Sequence, residues 1–223
     1  MKYCFYLLTV LFLIGCQSEQ KSSERLFADL FVRFLETERQ IKAHASFYEG
    51  DDMATAQSVT FPNDVTFQRY KMQPRQIEDR TMRYVFNGTG SYDGSFVFRY
   101  TDRQRKQREH RIVMSPIIDF TPLGDISRSR GMLLRVDSEP LQNGESLVLL
   151  FTSEENHSGV AEFRGPRDVT QLEVPASFLQ EVVPGKNYFY LVKKQRNKVE
   201  GSDINVTSNI ELYSKTIVVE VLE

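Results

Sequence analysis

Two periodicities divide the chain. Residues 24–45, ERLFADLFVRFLETERQIKAHA, carry apolar side chains at Leu26, Phe27, Leu30, Phe31, Phe34, Leu35 and Ile41. That i, i+3, i+4, i+7 recurrence predicts one amphipathic helix, with Asp29, Arg33, Glu36 and Arg39 on its polar side and Ser23-Glu24 as its start. Its apolar stripe either covers the β body or lies against a bilayer or a partner helix. The polar side mixes acids and bases, which disfavours the bilayer.

From residue 46 the period shortens. VTFQRY (65–70), MRYVFN (82–87), FVFRYT (96–101), RIVM (111–114), MLLRV (132–136), SLVLLFT (146–152), VAEFR (160–164), TQLEV (170–174), NYFYLVKK (187–194) and TIVVEVL (216–222) are short and rich in β-branched and aromatic residues. Gly, Pro, Asn and Asp separate them, with turn pairs at Asp93-Gly94, Asn143-Gly144 and Pro184-Gly185. This rhythm predicts a mainly β protein, an antiparallel β-sandwich preceded by the helix. Two prolines and two glycines in residues 115–131 place a boundary there. Residues 46–120 then form an N-terminal β module, either a second sandwich or an elaboration of the first. Residues 121–130 form a linker and residues 131–223 a C-terminal sandwich.

The stretch VVPGKNYFYLV, residues 182–192, resembles the immunoglobulin and fibronectin type III pattern, in which a turn precedes a strand bearing a tyrosine. The resemblance implies an immunoglobulin-like C-terminal sandwich, with the Tyr188 hydroxyl bonding back across the corner and Phe189 and Tyr190 on alternate faces. The cysteine and tryptophan core of antibody-type domains is missing.

At the N-terminus, MKYCFYLLTVLFLIG combines a single Lys2 with an apolar run free of acids, the layout of an export signal. It is shorter than the ~20 apolar residues that span a bilayer. Leu13-Ile14-Gly15-Cys16 resembles the bacterial lipobox. The resemblance implies cleavage after residue 15, a diacylglycerol on the Cys16 thiol and an acylated amino group. Two or more chains make a stable anchor where one gives only reversible binding. Residues 17–23, QSEQKSS, then read as a flexible tether. Gln17 after the cysteine resembles lipoproteins sent to the outer membrane, whereas the acidic surface-export signal of Bacteroidota is matched only by Glu19. The expected location is the bacterial envelope, membrane-bound through Cys16, with the periplasmic or surface side open.

Cleavage changes the charge and thiol inventory. Removing 15 residues from 223 leaves 208, and removing Lys2 leaves 27 bases against 30 acids, a net charge of −3. Such a balance argues against a nucleic-acid partner. Cys4 leaves with the signal and Cys16 is consumed, so no disulfide is expected and stability must come from the core.

Candidate chemistry is sparse. HExxH, GxSxG, CxxC, GxxxxGK[ST] and GxGxxG are all absent. His44, His110 and His157 are scattered and read as surface or turn residues. Asp51, Asp52, Asp93, Asp119 and Asp125 fall at turns, where Asp is common for backbone reasons. The loop Asn87–Asp93 has oxygen donors without EF-hand spacing. No catalytic residue, metal ligand or cofactor is expected. The glycosylation triplets at Asn87, Asn156 and Asn205 are coincidental in a bacterial protein.

Charge is most uneven in TDRQRKQREHR, residues 101–111, where Arg103, Arg105, Lys106, Arg108 and Arg111 face only Asp102 and Glu109. A second basic tip follows the Tyr188 strand at Lys193, Lys194, Arg196 and Lys198. Such tips are either solvated sheet ends or sites for lipid phosphate, acidic glycan or an acidic protein. The leading expectation is a non-enzymatic binding or assembly module within an envelope complex. The alternatives are an envelope hydrolase acting on glycan or peptide through two carboxylates, and a lipid or polysaccharide carrier with an apolar cavity or a continuous groove within a sheet.

Overall fold

The computed structural model describes residues 25–223 apart from 62, 64, 78–80 and 156. The expected signal, Cys16 and the expected tether therefore lie outside the described residues. Where the amphipathic helix is expected, the chain forms a hairpin of β1 (Arg25–Leu35) and β2 (Gln40–Gly50). Leu26, Ala28, Leu30, Val32 and Phe34 are all buried, as are Ile41, Ala43, Ala45 and Phe47. Both sets repeat every second residue, the period of a strand. The turn between them closes with Arg39 N–H on the Glu36 carbonyl at 3.1 Å and Arg39 at φ 49°.

The first half continues through β3 (Gln57–Ser58), β4 (Thr66–Phe67), β5 (Tyr70–Lys71), β6 (Gln73–Ile77), β7 (Thr81–Thr89), β8 (Ser95–Thr101) and β9 (Gln107–Val113). VTFQRY is a tight hairpin, not one strand, because Gln68 and Arg69 sit at φ 48° and 76°. Next come β10 (Asp119–Ser127), β11 (Gly131–Asp137), β12 (Glu145–Ser153), β13 (Ser158–Arg164) and β14 (Gln171–Val174). The chain ends with the short helix α1 (Ala176–Leu179), β15 (Gly185–Glu200), β16 (Ile204–Tyr213) and β17 (Ile217–Leu222). Residues 121–130 are thus no linker: most belong to β10, which pairs with β11 and absorbs its glycine in a bulge between Leu123 and Ser127.

Among the described residues the strands form a 13-stranded and a 4-stranded sheet, a mainly β, sandwich-like architecture. One core lies between the β16-β1-β2-β7-β6 part of the large sheet and the small sheet β5-β4-β8-β9. It is aromatic: Phe47 packs 4.5 Å from Tyr100 and 4.7 Å from Phe61, and Phe67 packs 4.9 Å from Phe98. Truncating one such buried ring to Ala costs about 3–5 kcal/mol. The second core draws on β10 to β15 and β17, is mostly aliphatic, and centres on Phe151 stacked 4.4 Å from Phe189.

β15 joins the two cores. Its first residues pair with β17 and its last with β16, while β12 runs along the other side. Between the pairs Phe189–Ile217 and Val192–Tyr213, β15 has two residues and its partner has three. The extra residue makes a bulge in which Ser214 Oγ accepts the Leu191 N–H at 2.9 Å. Residues 131–223 consequently do not close on themselves, because β16 delivers Val206, Ile210 and Leu212 to the first core. Nor is the sheet purely antiparallel: β1 runs parallel to β16 and β10 to β17.

Candidate anion-binding face

Because even-numbered residues of β1 point into the first core, its odd-numbered residues face outward. The same alternation on β2, β7, β6, β16 and the last residues of β15 brings polar side chains onto one open face. Register defines its rungs. One runs Lys198–Thr207–Asp29–Ser46–Arg83–Arg75 from β15 to β6. A second runs Arg196–Asn209–Phe31–His44–Val85, and a third Lys194–Glu211–Arg33–Lys42–Asn87. Neighbouring strands lie ~4.8 Å apart and successive rungs ~6.8 Å apart.

The face is electropositive. With Arg25 and Glu200 at its end, it holds eight bases (Arg25, Arg33, Lys42, Arg75, Arg83, Lys194, Arg196, Lys198) against Asp29, Glu200 and Glu211. Eight less three leaves +5. Arg33 pairs with Glu211 at 2.7 Å and lies over the Phe31 and Tyr213 rings. Arg75 and Arg83 stand directly opposite each other, where like charges destabilise a sheet. The Arg83 Nε is buried without a hydrogen-bond partner among the described residues. His44 stacks 4.7 Å from Phe31. Burial, with Arg83 and Arg33 beside it, lowers its imidazole to about 4. Burial also raises the Asp29 carboxyl above its ordinary value, against the pull of Arg83 and Arg196.

A groove of about 490 Å³ crosses the β15, β16 and β1 part of this face. Arg196, Lys198, Asn205, Thr207 and Asn209 line it together with two acids, Asp29 and Glu200, while Phe27, Met53 and Val199 supply apolar wall. Of the basic residues expected from the sequence after Tyr188, Lys194, Arg196 and Lys198 belong here, on a strand and not at a tip. Lys193 does not. Strand alternation turns it inward, fully buried, with its ammonium 3.2 Å from Glu145 and bonded to Ser115 Oγ at 2.8 Å and Ser115 O at 3.1 Å. These three acceptors match its three donors, at the point where the chain passes from the first core to the second.

The other basic segment is a hairpin tip, but its charge is largely matched by the protein's own acids. Arg103 pairs with Glu49 at 2.9 Å, and Lys106 with Asp203 at 3.1 Å. Arg108 bridges Asp102 at 2.9 Å and Asp203 at 2.8 Å. Arg111 reaches Ser95 Oγ at 3.0 Å and Glu109 at 3.6 Å. Arg105 occupies the turn at φ 62° and forms no ion pair among the described residues. Asp203 sits at the β15–β16 turn, and its bonds to Arg108 and Lys106 lower its pKa to about 2. The tip thus fastens one hairpin to another.

The remaining candidates do not converge. Asp52 caps its own turn through the Ala54 and Thr55 N–H groups at 2.8 and 3.0 Å. Asp119 pairs with Lys215 at 2.9 Å, and Asp125 with Arg130 at 3.1 Å. Among the described residues no three His, Cys, Asp or Glu side chains are grouped to hold a metal ion. His110 bonds the Tyr100 hydroxyl at 3.1 Å, and His157 is exposed near Glu155. Tyr188 is 38% exposed with the Lys186 ammonium 5.9 Å from its ring, and among the described residues its hydroxyl forms no bond back across the corner. Phe189 and Tyr190 do alternate, the first fully buried.

Arg33, Lys42, Arg75 and Arg83 were not foreseen as site residues. KAHASF, residues 42–47, alternates polar and apolar without interruption, and read as a strand it places Lys42, His44 and Ser46 on one side. No helix among the described residues is long and apolar enough to cross a membrane. No protein-family model matches the chain and no curated protein is detectably similar to it.

Proposed function

We propose that this chain is a lipid-anchored bacterial envelope protein whose body is a non-enzymatic binding module for an anionic polymer, held on the outer face of the first sandwich. The Leu13-Ile14-Gly15-Cys16 stretch supports the anchor. The observation that carries the binding reading is the Arg75–Arg83 rung, two opposed guanidinium groups on a face with eight bases and three acids. A strand pair bears such repulsion at a cost to stability, and an anionic ligand offsets it. Arginine suits this role because its planar fork matches carboxylate and phosphate oxygens. The C-terminal module is read as immunoglobulin-like on its seven strands, β10 to β15 and β17, around one core.

The test is polyanion binding by the full-length protein in detergent across a salt series. Affinity should fall steeply with salt, since each ion contact releases counterions. Arg83→Gln with Arg196→Gln should weaken binding about tenfold or more, and Arg103→Gln with Arg105→Gln should leave it unchanged. Weakening by the tip pair alone would overturn the assignment of the face. For the anchor, Cys16→Ser should abolish partitioning into detergent; retained partitioning would overturn it.

A further inference from the structure

We propose that the groove over β15, β16 and β1 is a subsite for a carboxylated sugar, one unit of an acidic polysaccharide; this rests on the anionic-polymer reading and narrows its ligand. Three kinds of lining coincide there. Arg196 and Lys198 stand two residues apart on the same side of β15, and neither forms an ion pair among the described residues. They supply charge for a carboxylate, Arg196 in a bidentate fork.

Asn205, Thr207 and Asn209 repeat every second residue along β16 and so form a column of neutral donors and acceptors ~14 Å long. Within it, Asn205 Oδ1 is a buried acceptor without a donor among the described residues. A buried acceptor left unpaired is destabilising, so a ligand hydroxyl that reaches it is favoured. Asp29 on β1 and Glu200 on β15 add acceptors for further hydroxyls and equal the two bases of the groove in number, though neither is ion-paired with them among the described residues. Phe27 and Met53 provide apolar wall, which suits the C–H face of a pyranose ring.

Each competing ligand class leaves part of this lining idle. A phosphate polymer uses the two cations but not the amide and hydroxyl column or the apolar wall. A neutral glycan uses the column and wall but gives Arg196 and Lys198, which form no ion pair among the described residues, no charged partner. A lipid surface calls for a continuous apolar patch, whereas the exposed apolar residues here, Met53 and Val199, stand among Arg196, Lys198, Glu200 and Asp29. The combination fits a ligand with hydroxyls, a ring face and a carboxylate on the same unit.

The experiment is calorimetric titration of the full-length protein in detergent with an oligouronide, the matching neutral oligosaccharide and inorganic polyphosphate. The expected result is oligouronide binding that Arg196→Gln weakens about tenfold and Asn209→Ala by several-fold. The neutral sugar should show no measurable heat, and polyphosphate affinity should be indifferent to Asn209→Ala. Because Arg196 and Asn209 lie on the sheet surface, loss of fold is checked by unchanged unfolding midpoints, and Thr207→Val serves as a second probe of the column. If oligouronide and polyphosphate bind equally and neither responds to Asn209→Ala or Thr207→Val, the subsite is overturned while the anionic reading stands. If no polyanion binds, both fall.

Discussion

The two basic segments are similar in composition and opposite in consequence. Residues 103–111 crowd their charge at a hairpin tip, yet four of its five bases find carboxylates, two of these distant in the chain, Glu49 on β2 and Asp203 at the β15–β16 turn. Residues 194–198 carry fewer charges, but alternation places Lys194, Arg196 and Lys198 on one face beside Arg33, Lys42 and Arg83. Local charge count therefore misjudges potential in both directions. Strand partners decide whether a cation is matched by the protein or left for a ligand.

The sharpest cut through this comparison falls within the second segment itself. Lys193→Ala should destabilise the protein by about 3–5 kcal/mol, because it leaves Glu145 buried without its partner. Lys193→Met should recover part of that loss when combined with Glu145→Gln, and neither change should alter polyanion binding. Urea unfolding midpoints check the first statement and titration the second. A loss under 1 kcal/mol would return Lys193 to the surface set.

Next in size is Arg108→Ala, at about 1.5–3 kcal/mol, since it strips the buried Asp102 of its ion pair. Its unfolding should be measured beside that of Arg196→Ala, which has no ion pair to lose and should fall within about 0.5 kcal/mol of the parent. Equal losses would erase the distinction between the tip and the face.

A pH series separates the two regions by sign and range. The folded face holds His44 near 4, so the unfolded chain binds more protons between there and the ordinary 6.5. Its contribution is present in full above 6.5 and is lost as pH falls toward 4. His44→Phe should flatten stability in that window while keeping the stack on Phe31. The tip responds lower: Asp203, held near 2, contributes above 3.8 and loses that contribution only as pH falls through its folded value. Smallest of all, Lys106→Ala should cost no more than about 0.5 kcal/mol, because its pair with Asp203 is exposed.

Most strands were legible because their apolar residues alternate between turn signals. Gly94, Gly144 and Gly185, each the second member of an expected turn pair, do sit at φ 91°, 78° and 98°. The first hairpin was misread for a physical reason. On β1 both faces carry apolar residues: Leu26, Leu30 and Phe34 point inward, while Phe27, Phe31 and Leu35 lie outward. The resulting doublets at 26–27, 30–31 and 34–35 mimic a helical stripe, because a strand that carries apolar residues on its open face as well as its core face loses its clean alternation. Ala28 and Val32 carry the strand signal, and they are the weaker apolar residues.

Lys193 shows the same limit in the site. In NYFYLVKK its parity with Phe189 and Leu191 marks it as inward, but only the presence of Glu145 and Ser115 makes an inward lysine tolerable.

The amino-acid sequence alone determined the β class, the turns and the LIGC stretch with its anchoring expectation, since these depend on residues close together in the chain. The tertiary structure alone decided that β16 crosses into the first core, which cations are matched, and that Arg83, Arg196 and Asn209 share a face. Those outcomes depend on pairings between strands more than a hundred residues apart, such as β1 with β16, where register and not local composition sets which side chains meet.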